Sequence, residues 1–120
     1  MMENGRPLFA QVAELIENSI IDGTLAEDTQ VPSTNELAAF HRINPATAAK
    51  GLNQLAAEGI IYKKRGIGMF VSAGAREALK SRRRERFARQ YIEPLVAEAD
   101  KLGVGIAELK SMLDQWEKNL

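Results

Sequence analysis

Apolar side chains recur at helical spacing in three segments of the first half of the chain. The first covers residues 8–22 and starts behind Pro7, whose missing N–H costs nothing in the first turn of a helix. The second covers residues 34–41, and the third runs from Pro45 to Glu58. A short helix, a tight turn and another short helix are typical of a helix-turn-helix. The second and third segments therefore predict this motif.

The residues that precede these two helices carry capping signals. Ser33 is followed three positions later by Glu36, so each side chain can bond a backbone N–H of the other in a capping box. Asn44 can cap the next helix, and Pro45 can take its first position. Gly59 is expected to end that helix. These signals mark where both helices begin and where the second one stops.

The period of the pattern changes after this glycine. Residues 60–63 and 69–71 are rich in β-branched and aromatic side chains, and the loop over residues 64–68 contains glycines and basic side chains. Such runs around a glycine-containing loop predict a β-hairpin with a positively charged tip. A helix-turn-helix followed directly by a basic hairpin is a winged helix.

The last third of the chain is again helical. Apolar residues alternate steps of three and four over residues 77–102, where Pro94 should bend a long helix, and a final helix starts near Ile106. The sequence therefore predicts a mainly α fold with a small β-hairpin. A winged helix-turn-helix domain is expected over residues 1–73, followed by a two-helix C-terminal element over residues 74–120.

The apolar stripes of the two C-terminal helices predict a homodimer. They would be exposed on a monomer, and apolar patches of this kind seldom persist without a partner. Packing within one chain is the alternative for part of each stripe. The residues expected in the dimer interface are Phe87, Tyr91, Ile92, Leu95, Leu102, Leu109, Leu113 and Trp116. A small-molecule effector could bind among the paired helices, although a filled interface core is favoured.

Charge is distributed unevenly along the 120 residues, although the formal net charge is zero. Residues 1–60 carry three basic against eight acidic side chains, a net charge of −5. Residues 61–90 carry ten basic against two acidic ones, a net charge of +8, and residues 91–120 return to −3. Phosphate binding depends on a local basic cluster, so the net charge of zero does not exclude a nucleic-acid partner.

Composition disfavours several classes of function. The chain has no cysteine, so disulfides and thiolate metal sites are excluded, and its single histidine, His41, has no evident catalytic or metal-binding companion. We therefore expect no enzyme activity, no metal and no cofactor. No apolar run approaches the roughly 20 residues of a membrane span, and the N-terminus lacks the regions of a signal peptide. The expected location is the cytoplasm, with no membrane partner.

An ordered set of short motifs runs from Pro7 to Val71. They are Pro7-Leu8-Phe9 with Gln11, Ile21-Asp22-Gly23-Thr24-Leu25, Val31-Pro32-Ser33, Glu36-Leu37-Ala38, Thr47, Leu55, Glu58-Gly59 and Arg65-Gly66-Ile67-Gly68-Met69-Phe70-Val71. At this spacing the set resembles the GntR family of bacterial transcription regulators. Residues 43–47 and the short helical tail are most similar to its YtrA-like subfamily. The resemblance implies a repressor.

The expected contacts with double-stranded DNA come from three places. The N-terminal residues of a recognition helix face base edges, N–H groups at the start of the preceding helix attract phosphate, and a glycine-containing wing tip can approach the minor groove. A symmetric dimer would place two recognition helices about 34 Å apart, so the expected target is an inverted repeat. The contact residues are Ser33, Thr34 and Asn35 before and in the second helix, Asn44, Pro45, Ala46, Thr47 and Lys50 at the third, and Lys63, Lys64, Arg65, Gly66 and Gly68 in the wing.

Other interpretations of these residues stay open. Capping alone accounts for Ser33 and Asn44, and a solvated turn accounts for the wing. Members of the GntR family often carry arginine where Asn35 stands and glycine where Asp28 stands, and many have a serine–arginine pair in place of Asn44-Pro45. These departures bear on the operator sequence more than on DNA binding itself. The alternative function is a winged-helix module for protein–protein contact, which the acidic first half of the chain and the missing arginines leave open.

Overall fold

Six α-helices and one antiparallel β-hairpin form residues 5–120, the part of the chain that this computed structural model describes. In chain order they are α1 (Leu8–Ile21), α2 (Thr34–His41), α3 (Pro45–Ala57), β1 (Ile61–Lys64), β2 (Gly68–Val71), α4 (Ala75–Phe87), α5 (Glu93–Lys101) and α6 (Ile106–Lys118). A π-helical turn, Ala88–Ile92, joins α4 to α5. The mainly α fold with one small hairpin is confirmed.

The long helix expected over residues 77–102 is interrupted by the π-helical turn. Pro94 explains the interruption, because it has no N–H to bond the Gln90 carbonyl and its ring would clash with that group. The Glu93 N–H donates instead to the Ala88 carbonyl oxygen, five residues earlier. The helix is therefore locally wider just before the proline.

The described residues up to Ser81 form one compact unit, and Arg82–Leu120 form a second. The first unit extends past the expected boundary at residue 73, since Ala75 and Leu79 of α4 are buried in its core. That one domain binds DNA and the other dimerises stays a prediction.

The helices α1 and α3 pack closely at the centre of the first unit. Gly51 of α3 permits the approach: a Cβ atom there would lie 2.8 Å from the Phe9 carbonyl oxygen and 3.2 Å from the Val12 Cβ. No side chain fits in that space. The core buried around this crossing consists of Val12, Ala13, Ile16, Ile20, Val31, Leu37, Ala38, Ala48, Leu52, Leu55, Ile60, Ile61, Val71, Ala75 and Leu79.

The wing is a two-stranded hairpin with a third backbone segment along the outer edge of β2. Tyr62 lies opposite Phe70 in the ladder. Residues 28–31, here called the edge segment, pair with β2: the Asp28 N–H donates to the Val71 carbonyl at 2.8 Å, and the Val71 N–H donates to the Thr29 carbonyl at 3.0 Å. The edge segment leads directly into α2, so backbone hydrogen bonds connect the wing to the start of that helix.

Candidate nucleic-acid interface

The start of α2 has the expected capping box. The Ser33 Oγ accepts from the Glu36 N–H at 3.1 Å, and the Ser33 N–H donates to the Glu36 Oε1 at 2.9 Å. The backbone hydrogen bond from Ser33 holds the pKa of the Glu36 carboxyl below its usual value. The box does not involve the Thr34 and Asn35 N–H groups, which lie at the positive end of the helix dipole. Asn35 is exposed and Thr34 is half-buried.

The start of α3 is capped by Asn44, whose Oδ1 accepts from the Ala46 N–H at 2.7 Å. Pro45 occupies the first turn, as expected. The side chains of Asn44, Pro45 and Ala46 are exposed, and Thr47 is half-buried. The first turn of α3 thus presents small and polar groups at the surface, and the cap leaves the Asn44 Nδ2 group able to donate.

Lys50 lies one turn further along α3, and a ring on α1 orients it. Its Nζ is 4.1 Å from the centroid of the Phe9 ring, within cation–π range. The side chain is exposed at the surface.

The wing tip is exposed and basic. Lys63 and Arg65 are exposed on either side of Lys64, whose Nζ lies 4.4 Å from the centroid of the Phe70 ring. Gly66 has a φ of +78°, which a residue with a side chain rarely adopts, so the tight turn needs glycine at this position. The ring contact gives Lys64 a defined direction, whereas its two basic neighbours extend into solvent.

Two side chains of the edge segment bond the hairpin. The Tyr62 hydroxyl donates to the Asp28 Oδ1 at 3.2 Å, and the Gln30 Nε2 donates to the Ile67 carbonyl at 3.1 Å. Burial raises the pKa of the Tyr62 hydroxyl, and the bond to Asp28 raises it further. Asp28 itself has a φ of +62°, a left-handed conformation that residues with a side chain adopt rarely. Sequence reasoning missed all four residues of these two bonds as parts of the site.

Arg42 is a second feature that the pattern did not indicate. It ends α2 with a φ of +54°, a left-handed conformation that lets the chain turn into α3 within a few residues. Its side chain is exposed, two residues before Asn44, the cap of α3. A basic residue in a tight connection is the signal that could have identified it.

Seven of the eight residues expected in a dimer interface are exposed in the second unit. Leu109 is 9% exposed, whereas Trp116 is 68%, Leu102 69% and Tyr91 58% exposed. The rings of Phe87 and Tyr91 contact each other across the π-helical turn, with centroids 5.7 Å apart. Packing within the second unit therefore covers little of the two stripes.

Residues 5–120 contain no group of three or more His, Asp or Glu side chains placed to hold a metal ion. His41 packs edge-on against the exposed ring of Phe40, with centroids 4.9 Å apart. No helix in this part of the chain is long and apolar enough to cross a membrane.

Residues 8–71, from the start of α1 to the end of the wing, match the model of the gntR family of bacterial regulatory proteins. The chain belongs to this family. The match covers all of the motifs found in the sequence except Pro7, so the family assignment is confirmed. It includes every proposed DNA contact and stops before the second unit.

Two relatives cover nearly the whole of this gntR-family chain. The HTH-type transcriptional repressor YtrA of Bacillus subtilis is 27% identical over 114 residues, which are 95% of this chain and 84% of that protein. The crystal structure of a transcriptional regulator from Oenococcus oeni is 29% identical with a TM-score of 0.76, over 92% of this chain and 90% of the other.

A third comparison concerns the first unit. The DNA-binding domain of AraR, solved in complex with the operator ORX1, is 33% identical with a TM-score of 0.54, over 56% of this chain and 81% of that one. In that complex the AraR domain is bound to its operator. This gntR-family protein is accordingly a DNA-binding transcription regulator, and its relatives are regulators rather than enzymes.

Proposed function

We propose that this protein represses transcription in the bacterial cytoplasm as a homodimer bound to an inverted repeat in double-stranded DNA. The observation that carries the proposal is the exposed, capped first turn of α3 in a winged helix with a basic wing tip. The second unit, with its two exposed apolar stripes, supplies a surface for a partner chain. No catalytic step, metal or cofactor is part of the proposal.

The first turn of α3 would contact base edges in the major groove. Ala46 and the Thr47 methyl group suit contact with thymine methyl groups, and the Asn44 Nδ2 can donate to an acceptor such as a purine N7. Pro45 has no N–H and would pack without competing for a hydrogen bond. Few charged donors point at the bases, so methyl contacts and DNA shape would contribute much of the selectivity.

The start of α2 and the wing would bind the backbone and the minor groove. The Thr34 and Asn35 N–H groups suit a phosphate because they lie at a helix N-terminus, and the Ser33 hydroxyl lies beside them. In the wing, Lys63 and Arg65 would neutralise phosphates or enter the minor groove. The charged side chains of Lys50 and Lys64 complete the proposed contact set, together with the tip glycines Gly66 and Gly68. The aromatic contacts hold both lysines in defined directions.

The apolar stripes of the second unit would form the dimer interface. Phe87, Tyr91, Ile92 and Leu95 follow the first stripe, and Leu113 and Trp116 follow the second. Large exposed patches of this kind mark association sites, and a two-fold dimer would match an inverted repeat. Ala99 and Leu109 are the only buried residues within Arg82–Leu120, so an effector that binds among these helices would need a cavity formed by their pairing.

Fluorescence anisotropy tests DNA binding. The full chain is titrated against a pool of random inverted-repeat duplexes, at low and near-physiological salt. We expect enrichment of one two-fold symmetric site and an affinity that falls steeply with salt, because phosphate contacts release counterions. Arg65→Ala should reduce the salt slope by about one, while the exposed Lys101→Ala should leave it unchanged. Failure to bind any duplex would refute the proposal and favour the protein–protein module.

Analytical ultracentrifugation tests the dimer. Trp116→Asp should convert the protein to a monomer, because it places a charge in the proposed apolar interface. Phe40→Asp is the matched control, since Phe40 is an aromatic residue of the first unit that is 83% exposed. A wild-type monomer at micromolar concentration would refute the dimer and leave DNA binding standing.

A further inference from the structure

Gln30 lies in the edge segment, between the wing and the start of α2. Its Nε2 donates to the Ile67 carbonyl at 3.1 Å, in the turn at the tip of the wing. The backbone around it is paired with β2: Gln30 forms a bridge with Phe70, and the Val31 N–H donates to the Met69 carbonyl at 2.8 Å. The backbone pairing fixes where the side chain starts, and the amide reaches from there to the tip.

The wing turn is shaped around this amide. Gly68 has a φ of +142°, and a Cβ atom there would lie 2.6 Å from the Gln30 Nε2. The Ile67 N–H donates to the Lys64 carbonyl at 3.0 Å and closes the turn. The Ile67 residue is therefore held at its N–H by the hairpin and at its carbonyl by the edge segment.

We infer that Gln30 is a positioning residue that fixes the wing tip relative to the N-terminus of α2. The wing tip carries Arg65 and Gly66, and the same short segment that holds it continues through Val31 and Pro32 into Ser33. DNA contacts at both places require a fixed spacing, and a loosely held wing loses conformational entropy when it binds. The inference rests on the proposed function.

The test replaces Gln30 by methionine, which keeps the length of the side chain and removes the amide donor. The probe is the inverted-repeat duplex that the wild-type chain selects from the random pool, and the readout is Kd by fluorescence anisotropy. Loss of one neutral hydrogen bond should raise Kd about five- to tenfold. Gln115→Met, a matched change at an exposed site on α6, should leave Kd unchanged. Equal Kd values for wild type and Gln30→Met would overturn the inference and leave DNA binding standing.

A double-mutant cycle separates positioning from general destabilisation. If Gln30 acts through the wing, Gln30→Met should change Kd less than about twofold in a chain that already carries Arg65→Ala. In a Thr47→Ala background its full effect should persist, because that residue belongs to α3. An equal effect in both backgrounds would mean a merely structural role and would overturn the inference. A wild-type chain that binds no duplex would overturn both the inference and the proposed function.

Discussion

Gly51→Ala should destabilise the first unit, although alanine is the better helix former. At an exposed helical site this change gains about 1 kcal/mol. Here the new Cβ would lie 2.8 Å from the Phe9 carbonyl oxygen and 3.2 Å from two atoms of Val12. Backbone cannot move aside like the end of a side chain, so a cost near the upper end of the usual overpacking range, about 3 kcal/mol, is expected. The net loss of unfolding free energy is about 2 kcal/mol.

Thermal and urea unfolding followed by circular dichroism measure this loss. A decrease of about 2 kcal/mol should lower Tm by roughly 8–16 °C in a unit of this size. Asn53→Ala on the same helix is the control: its side chain is exposed, so it should gain a few tenths of a kcal/mol, about what propensity gives. If Gly51→Ala raised Tm as the control does, α1 and α3 would not pack this closely. DNA affinity should fall with Gly51→Ala, because the crossing also sets the position of α3, which carries the proposed base contacts.

Three further changes test local features of the first unit. Arg42→Gly should stabilise the protein by about 0.5 kcal/mol in urea unfolding, because glycine removes the left-handed strain and only part of that gain is lost to its greater flexibility in the unfolded chain. Arg84→Gly, the control within α4, should destabilise the protein by about 1 kcal/mol. The pKa of Glu36 is lowered, so the stability that this residue contributes is present above its ordinary pKa of 4.5 and is lost as pH falls through the lowered value. The urea midpoint of Glu36→Gln should not show this loss in the acid range. The pKa of Tyr62 is raised, so the stability that this residue contributes is present below its ordinary pKa of 10.0 and is lost as pH rises through the raised value. Tyr62→Phe should flatten that alkaline loss in urea midpoints, and an unchanged slope would contradict the hydrogen bond from the hydroxyl to Asp28.

The helix starts could be predicted because their causes are local. The capping box joins residues three positions apart, and Asn44 caps through an N–H two residues later. A pattern of residue types at fixed short spacing therefore contains the whole interaction. The same holds for the helix stop before Gly59 and for the glycine in the wing turn.

The side-chain bonds that hold the wing could not be predicted in this way. The bond between Asp28 and Tyr62 joins residues 34 positions apart, and the bond from Gln30 to Ile67 joins residues 37 positions apart. Each needs the edge segment to pair with β2 first, which is a tertiary event. The sequence likewise showed Lys50 as an available charge but not the ring that orients it. The proline at position 94 indicated a bend. The shift to a π-helical turn, in contrast, depends on the Glu93 N–H bonding the Ala88 carbonyl, five residues earlier.

The left-handed backbone at Asp28 follows from the same tertiary arrangement. A residue with a side chain is strained at a φ of +62°, and glycine would relieve that strain. Glycine has no carboxylate, however, and would leave the Tyr62 hydroxyl without the acceptor that the structure gives it. Strain at one position and a side-chain bond to the wing thus offset each other. In a gntR-family protein with glycine at position 28, a tyrosine at position 62 would lack the carboxylate that it bonds here, so the residues at these two positions should vary together. The residues at positions 30 and 68 should also vary together, because a Cβ at Gly68 would lie 2.6 Å from the Gln30 Nε2.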